Sequence, residues 1–403
     1  MGEAAIVGTT RLPEYRPYDD KPKSPWASIR RDRQAGDVHF VEDHGFFQVY
    51  GYDAIQAAVR APDIFSNRFG VTGSTSGETA EFLSYADPPI HTSQRRLMNA
   101  AFSRRHISRL KPFVAQLAND LVDRILERGE EVDLLVDFAV PFPITVICQM
   151  LGVPEADRHR VKDWSDESVV GAATLSNLPR EVREANLMGY IAELVAARRK
   201  AADYPEDLIA ALMTAEIDGR SFTDDEVVAA VRLLLVAGNE TTTNLIGNTV
   251  VALHDAVAER AKLLADPKLV ASAVEEGLRF DGPIHGLFRT ALSDTELAGT
   301  HIPAGSRVLN LYGAASHDPR KYDEPDRYII GRNWTDGRTP RHLGFGDGIH
   351  VCLGGNLARL ETQIALDTLY RRLPTLSLRE DWDRRQRPGF FFRGWTSVPV
   401  TFA

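Results

Sequence analysis

Apolar residues recur along most of this chain at the three-and-four spacing of amphipathic helices, and the tract from Asp87 to about Arg372 reads as mainly helical. Thr223-Asp224-Asp225-Glu226 has the form of a helix-capping box, and Pro374 marks a helix stop. Leu353, Leu357, Leu360 and Ile364 follow one another at four, three and four residues, which predicts a helix beginning directly after Cys352. From Val227 through Ala237 the chain is almost wholly apolar, and it then reads Gly238-Asn239-Glu240-Thr241-Thr242-Thr243-Asn244 before apolar residues resume at Leu245. That is one long helix with a polar interruption. Strand signals are few. Val38 to Tyr50 reads as a hairpin turning at Glu42-Asp43-His44-Gly45, followed by a short helix from Asp53 to Arg60. Short strand-like pieces return between Glu296 and Leu311, at Phe390-Phe391-Phe392 and at Val398-Pro399-Val400. Gly70 to Gly77 is rich in turn-forming residues and reads as a loop, a candidate lid. The fold class is mainly α with small β-sheets.

Composition narrows this picture. With 403 residues, 43% of them hydrophobic and 26% charged, the chain is long enough to bury a large core. No Gly/Ser-rich, Pro-rich or charge-run linker divides it, so residues 1–403 are read as a single catalytic domain, with 1–37 as an extension packed on it. No stretch is apolar enough to span a bilayer, and a monomer in the cytoplasm is expected. A net charge of −9, without a basic tract, argues against nucleic acid as a partner. Two cysteines are too few for a disulfide framework or a zinc site, and Cys148, in the apolar run Ile144 to Cys148, reads as a buried structural thiol.

Cys352 is different. Gly346, Gly348, Gly354 and Gly355 surround it, and the helix that follows starts beside its sulfur. Glycines allow close backbone approach, and a helix N-terminus favours an anion, so this cysteine is suited to remain a thiolate. A thiolate is a nucleophile or a metal ligand. His350, two residues away, is a possible base for the first role. For the second, haem supplies four nitrogens of its own and needs one axial thiolate from the protein.

The stretch Phe345 to Arg359, FGDGIHVCLGGNLAR, resembles the cysteine-ligand signature of the cytochrome P450 superfamily, and the likeness runs from about Val38 to the C-terminus in the order of soluble bacterial members. The resemblance implies the family's fold, with a long central helix over haem b (iron protoporphyrin IX). It also implies Cys352 as the axial iron ligand, with Phe345, Gly354 and Ala237 beside the cofactor.

Other segments bear on that implication. Using dioxygen to insert one oxygen atom and release the other as water consumes two protons, and Glu240 as acid beside the Thr241 hydroxyl can supply them. Ala237-Gly238-Asn239-Glu240-Thr241 resembles the family's oxygen-activation groove. Haem carries two propionates, which call for cations and hydrogen-bond donors. Asp87-Pro88-Pro89 reads as a helix start with Asp87 as N-cap, which puts His91 and Arg95 on one face; these, with Arg289 and His350, match the family's propionate partners. Glu276 and Arg279 on a predicted helix, Ala271 to Phe280, resemble the family's ExxR element, with Arg327 as the arginine completing a structural triad. The resemblance bounds a hydrophobic substrate pocket with Val236, Ile284, Leu287 and Phe391, and His285 is a candidate hydrogen-bond donor to the substrate.

The implied activity is hydroxylation or epoxidation of a small hydrophobic compound with O2. No flavin or iron–sulfur motif is present, so electrons are expected from a ferredoxin and its reductase, with Arg104, Arg105 and Arg109 as a docking cluster. Two alternatives remain. A peroxide-driven relative has less need of Glu240-Thr241, and a haem gas sensor would need an output module, which the sequence does not show.

Overall fold

The computed structural model describes residues 25–68, 82–102, 104–129, 132–173, 180–332, 334, 339–387 and 391–402. The candidate lid at Gly70 to Gly77 and most of the N-terminal extension lie outside them. The first third holds α1 (Trp26–Ala35), β1 (Val38–Val41), β2 (Phe46–Val49), α2 (Tyr52–Arg60), β3 (Phe65–Ser66), α3 (Ile90–Ala101), α4 (Arg104–Arg128) and β4 (Val132–Asp133). The middle holds α5 (Pro141–Leu151), α6 (Arg158–Ala173), α7 (Arg180–Lys200), α8 (Leu208–Thr214), β5 (Glu216–Ile217), β6 (Arg220–Ser221), α9 (Asp224–Asp255), α10 (Val257–Ala265) and α11 (Val270–Phe280). The last third holds β7 (Leu287–Ala291), β8 (Thr295–Leu297), β9 (Thr300–Ile302), β10 (Arg307–Asn310), α12 (Tyr312–Ser316), α13 (Gly355–Arg372), β11 (Ser377–Leu378) and β12 (Pro399–Thr401).

The helices share one large core, to which α4, α5, α9, α11 and α13 all contribute. A mixed five-stranded sheet, ordered β1-β2-β10-β7-β3, forms the second layer. Its hairpin β1–β2 is antiparallel as the alternation predicts, and Gly45 takes the turn at φ 66, a left-handed conformation that glycine adopts without a Cβ penalty. β10 then pairs β2 in parallel and β7 antiparallel, so Arg289 stands opposite Val308 at the sheet's centre.

The 32 residues of α9 form one continuous helix. Thr223 and Glu226 close a reciprocal capping box at its start, with bonds of 3.2 and 3.1 Å. The polar interruption does not break it, and two of its hydroxyls bond backbone carbonyls: Thr241 Oγ1 donates to Ala237 O at 2.7 Å and Thr243 Oγ1 to Ala139 O at 2.9 Å. Asp87 is not the cap of α3. The helix begins at Ile90 with Pro89 at the N-cap, and the Asp87 carboxylate instead accepts from Ser66 Oγ at 2.5 Å and Asn67 N–H at 3.0 Å.

Candidate active site

The cysteine loop runs from Phe345 to Gly354. Gly346 and Gly348 both hold positive φ, 68 and 66, and a Cβ on Gly348 would lie 2.6 Å from Val59 O, so both positions require glycine. Cys352 N–H donates to Phe345 O at 2.9 Å, closing the loop, and α13 begins three residues later. Cys352 lines a cavity of about 190 Å³ that Phe345, Leu353 and Arg359 help to wall. Desolvation by those walls raises the thiol pKa. The Gly354 and Gly355 N–H groups and the charges of Arg95 and Arg359 oppose that rise. Arg359 stacks over the Phe345 ring, 4.5 Å from its centroid, and bonds Glu275 at 2.9 Å through Nη2; Glu275 also meets His342 Nε2 at 3.0 Å. Cys148, by contrast, is fully buried, and desolvation pushes its thiol up to about 12. A thiol held neutral is inert.

Two elements, α3 and β7, bring basic side chains to this loop. Arg95, on α3, donates from Nη1 to Val351 O at 2.8 Å, one residue before the cysteine. His91, one turn earlier on α3, sits ring to ring with His350 at 4.2 Å between centroids. Arg289, from β7, is 3% exposed and joins them electrostatically: burial first, then the charges of Arg289, His91 and Arg95, hold His350 down to about 2. Both ring nitrogens of His91 and Nε2 of His350 are buried with no hydrogen-bond partner among the described residues. Buried ring nitrogens gathered beside two arginines form a site suited to an anion. A flat macrocycle with two carboxylates and one free axial position fits this donor set: a thiolate on a glycine-walled loop, two arginines and two unpartnered histidines.

Along α9, Ala237 is exposed and Val236, Gly238 and Thr241 are half-buried, although Leu234 and Leu235 before them and every residue from Thr242 to Leu253 are buried. An open face in the middle of a core helix marks the wall of an internal space. Glu240 borders this face but is covered. It is 3% exposed, and its carboxylate accepts from Arg387 and, at 3.3 Å, from Asn244 Nδ2. Sequence reasoning missed Arg387, because nothing near residue 387 in the chain points to position 240.

Glu276 and Arg279 form a bidentate pair at 2.9 and 2.7 Å, both side chains 0% exposed. The third arginine is Arg332 and not Arg327. Arg332 Nε reaches Glu276 Oε1 at 3.0 Å with its side chain 8% exposed, whereas the Arg327 side chain is 64% exposed and pairs with Glu324. The loop turns Arg327 outward while its backbone carbonyl faces inward to accept from Arg279 Nη2 at 2.9 Å. Of the pocket residues, Ile284 bridges to Phe392 and His285 N–H bonds Phe391 O at 2.9 Å, while Ile284, Leu287 and Phe391 are half-buried. The His285 ring is 2% exposed, close enough to Gly313 that a Cβ there would sit 2.4 Å from Nδ1, and 6.1 Å from Trp26. In the proposed docking cluster, Arg109 pairs with Glu206 at 3.4 Å, and the side chains of Arg104 and Arg105 lie outside the described residues.

Residues 250–392 match the family model described as Cytochrome P450. The chain is 39% identical to Cytochrome P450 107B1 of Saccharopolyspora erythraea over 78% of its own length and 75% of that protein's. It is 36% identical to the Cytochrome P450 monooxygenase PikC of Streptomyces venezuelae over 89% and 85% of the two chains. Its fold matches that of CYP109Q5 from Chondromyces apiculatus with a TM-score of 0.85 at 34% identity, covering 94% of this chain and 96% of that one. CYP109E1 from Bacillus megaterium, solved with testosterone, gives a TM-score of 0.83 at 30% identity over 94% and 99%. With the cysteine loop, the cation cluster and the long helix described, these relationships place the chain in the cytochrome P450 family, the haem-thiolate monooxygenases.

Proposed function

We propose that this monooxygenase binds iron protoporphyrin IX through Cys352 and His91, Arg95, Arg289 and His350, draws electrons from a separate ferredoxin and reductase, and hydroxylates or epoxidises a small hydrophobic compound in the cytoplasm. The observation that carries the cofactor assignment is the set of buried, unpartnered nitrogens on His91 and His350 beside a thiolate loop. When bound, haem supplies the redox chemistry of dioxygen. The chain's own residues do the rest. Cys352 is the anionic ligand that donates electron density to the iron. Arg95 and Arg289 would neutralise the propionates, and His91 and His350 would hydrogen-bond and orient them. Thr241, its hydroxyl fixed on Ala237 O at 2.7 Å, offers an oxygen on the open face of α9, and Glu240 behind it is the proton source. Val236, Ile284, Leu287 and Phe391 give the substrate an apolar wall and exclude water.

Two observations support an external electron donor and a freely moving enzyme. The sequence holds no flavin or iron–sulfur motif, and among the described residues no helix is long and apolar enough to cross a membrane. Related proteins carry different substrates in their names: one is a steroid C26-monooxygenase of Mycolicibacterium smegmatis, another a biotin biosynthesis cytochrome P450 of Bacillus subtilis. The deciding experiment therefore combines two steps. A reduced, carbon-monoxide-bound spectrum should carry the thiolate signature, and a hydrophobic library, steroids first, should contain compounds that shift the iron spin state and are then oxidised with ferredoxin, reductase and NAD(P)H. Oxidation with hydrogen peroxide but not with the ferredoxin system would overturn the electron route, and a spectrum without the thiolate signature would overturn the ligand.

A further inference from the structure

Glu240 flanks the open face of α9 but is itself buried. Its carboxylate meets the C-terminal hairpin formed where Gln386 bridges to Trp395, with backbone bonds from Arg387 N to Gly394 O at 2.8 Å and from Thr396 N to Arg385 O at 3.0 Å. Arg387 is fixed to that hairpin a second time, by Nε on Trp395 O at 3.1 Å, and its Nη1 reaches the Glu240 carboxylate. Its side chain is 31% exposed while that of Glu240 is 4% exposed. Arg387 therefore touches solvent at one end and the buried acid at the other.

The seam between the two elements is polar and tight. Asn244 and Asn248 follow Glu240 at one-turn spacing on the same face of α9, each 1% exposed. Asn248 Nδ2 staples the hairpin down by donating to Arg393 O at 3.0 Å and to Asp281 O at 2.8 Å. Gly394 passes so close that a Cβ there would lie 2.2 Å from Asn244 Oδ1. Yet Asn244 Oδ1, Asn248 Oδ1 and Gln386 Nε2 are buried with no hydrogen-bond partner among the described residues. Buried polar atoms of this kind are the usual anchors of internal water.

We propose that this seam is the enzyme's proton entry, and that Arg387 is the positioning residue that holds Glu240 at its inner end. Protons pass from bulk water beside Arg387, through waters held by the unpartnered amide groups, to the Glu240 carboxylate, and Glu240 hands them to the Thr241 side of α9. Each turnover consumes two protons and two electrons per dioxygen, the protons from solvent and the electrons from the external donor. The guanidinium itself carries no proton. It fixes the carboxylate, and the hairpin that carries it continues to Phe391 and Phe392 beside Ile284.

The inference rests on Glu240 being the proton source, and the experiment separates the two claims. Wild type, Glu240→Gln, Arg387→Met and Arg387→Lys are prepared as holoenzymes with matched carbon-monoxide spectra. Each is driven by a ferredoxin system without substrate, reading the partition of electrons between water and hydrogen peroxide and the solvent deuterium isotope effect. Removing the acid should slow proton-dependent reduction by about 100-fold, the low end for general acid catalysis. Arg387→Met should slow it by about tenfold, raise the peroxide share and enlarge the isotope effect, and Arg387→Lys should recover most of the loss. A double-mutant cycle in urea unfolding gives a readout independent of turnover: Glu240→Gln and Arg387→Met should be non-additive by about tenfold in the unfolding equilibrium constant. Normal partition and isotope effect in Arg387→Met, with Glu240→Gln impaired, overturns the seam and leaves the acid assignment standing. A normal Glu240→Gln overturns the acid assignment and the seam with it. If Arg387→Met fails to hold haem, Arg387→Gln carries the same test.

Discussion

Exchanging Arg332 for methionine tests the buried triad directly, because it leaves the Glu276–Arg279 pair intact. Glu276 would keep both bonds from Arg279 and the Ile329 N–H at 2.9 Å, but would lose the Arg332 guanidinium at 3.0 Å. The carbonyls of Asp323 and Glu324 would also lose their donors, now at 2.7 and 3.0 Å. Stripping one partner from a buried ion pair costs roughly 3–5 kcal/mol. Arg279 still compensates the carboxylate here, so the low end applies, about 3 kcal/mol. Arg327→Met is the control. Its side chain is 64% exposed and its pair with Glu324 is a surface pair that solvent screens. The carbonyl that Arg279 uses survives the exchange. The two variants should therefore differ by most of the Arg332 loss, roughly a thirtyfold ratio in unfolding constants. Isothermal urea titration of the holoenzymes measures this, with the rate of haem loss as a second reading because unfolding of a chain this size is often irreversible. Equal losses, or a larger loss in Arg327→Met, would refute the assignment of Arg332.

Three further outcomes are expected. Thr223→Ala removes half of the capping box of α9 and should cost about 1 kcal/mol in the same titration, with no change in haem content; an unchanged midpoint would show that packing alone holds that end. Cys352→Ser should abolish monooxygenation and remove the thiolate signature from the carbon-monoxide spectrum, and full retained activity would contradict the ligand assignment. For Glu275, burial alone would raise the pKa, but hydrogen bonds from His342 and Arg359 outweigh it and bring the group down to about 2. A depressed carboxylate stabilises the fold above its unfolded pKa, near ~4.3, and loses that contribution as pH falls through about 2. Wild type should thus exceed Glu275→Gln in stability at neutral pH by a margin that shrinks between about pH 4.5 and 2; a margin independent of pH would sink the argument.

What the sequence made legible depends on how far apart in the chain the interacting groups lie. The cysteine loop is contiguous: its glycines, the thiolate and the helix that follows are set by local backbone rules, so fifteen residues suffice to read it. The hairpin and the capping box are legible for the same reason. Pairings chosen by the path of an irregular segment are not. Asp87 has the composition of an N-cap, but its carboxylate closes on Ser66 and Asn67, about twenty residues back, because β3 brings those donors within reach. Arg327 and Arg332 stand in the same loop with the same charge, and only the direction in which that loop turns decides which one is buried on Glu276. Glu240 shows the difference most sharply. An acid in an apolar helix signals chemistry from sequence alone, but a buried carboxylate also needs a partner, and Arg387 lies 147 residues away on a hairpin whose approach to α9 depends on Gly394 having no side chain. Local pattern therefore locates the reactive groups, while the residues that hold them in place emerge only once the chain has closed on itself.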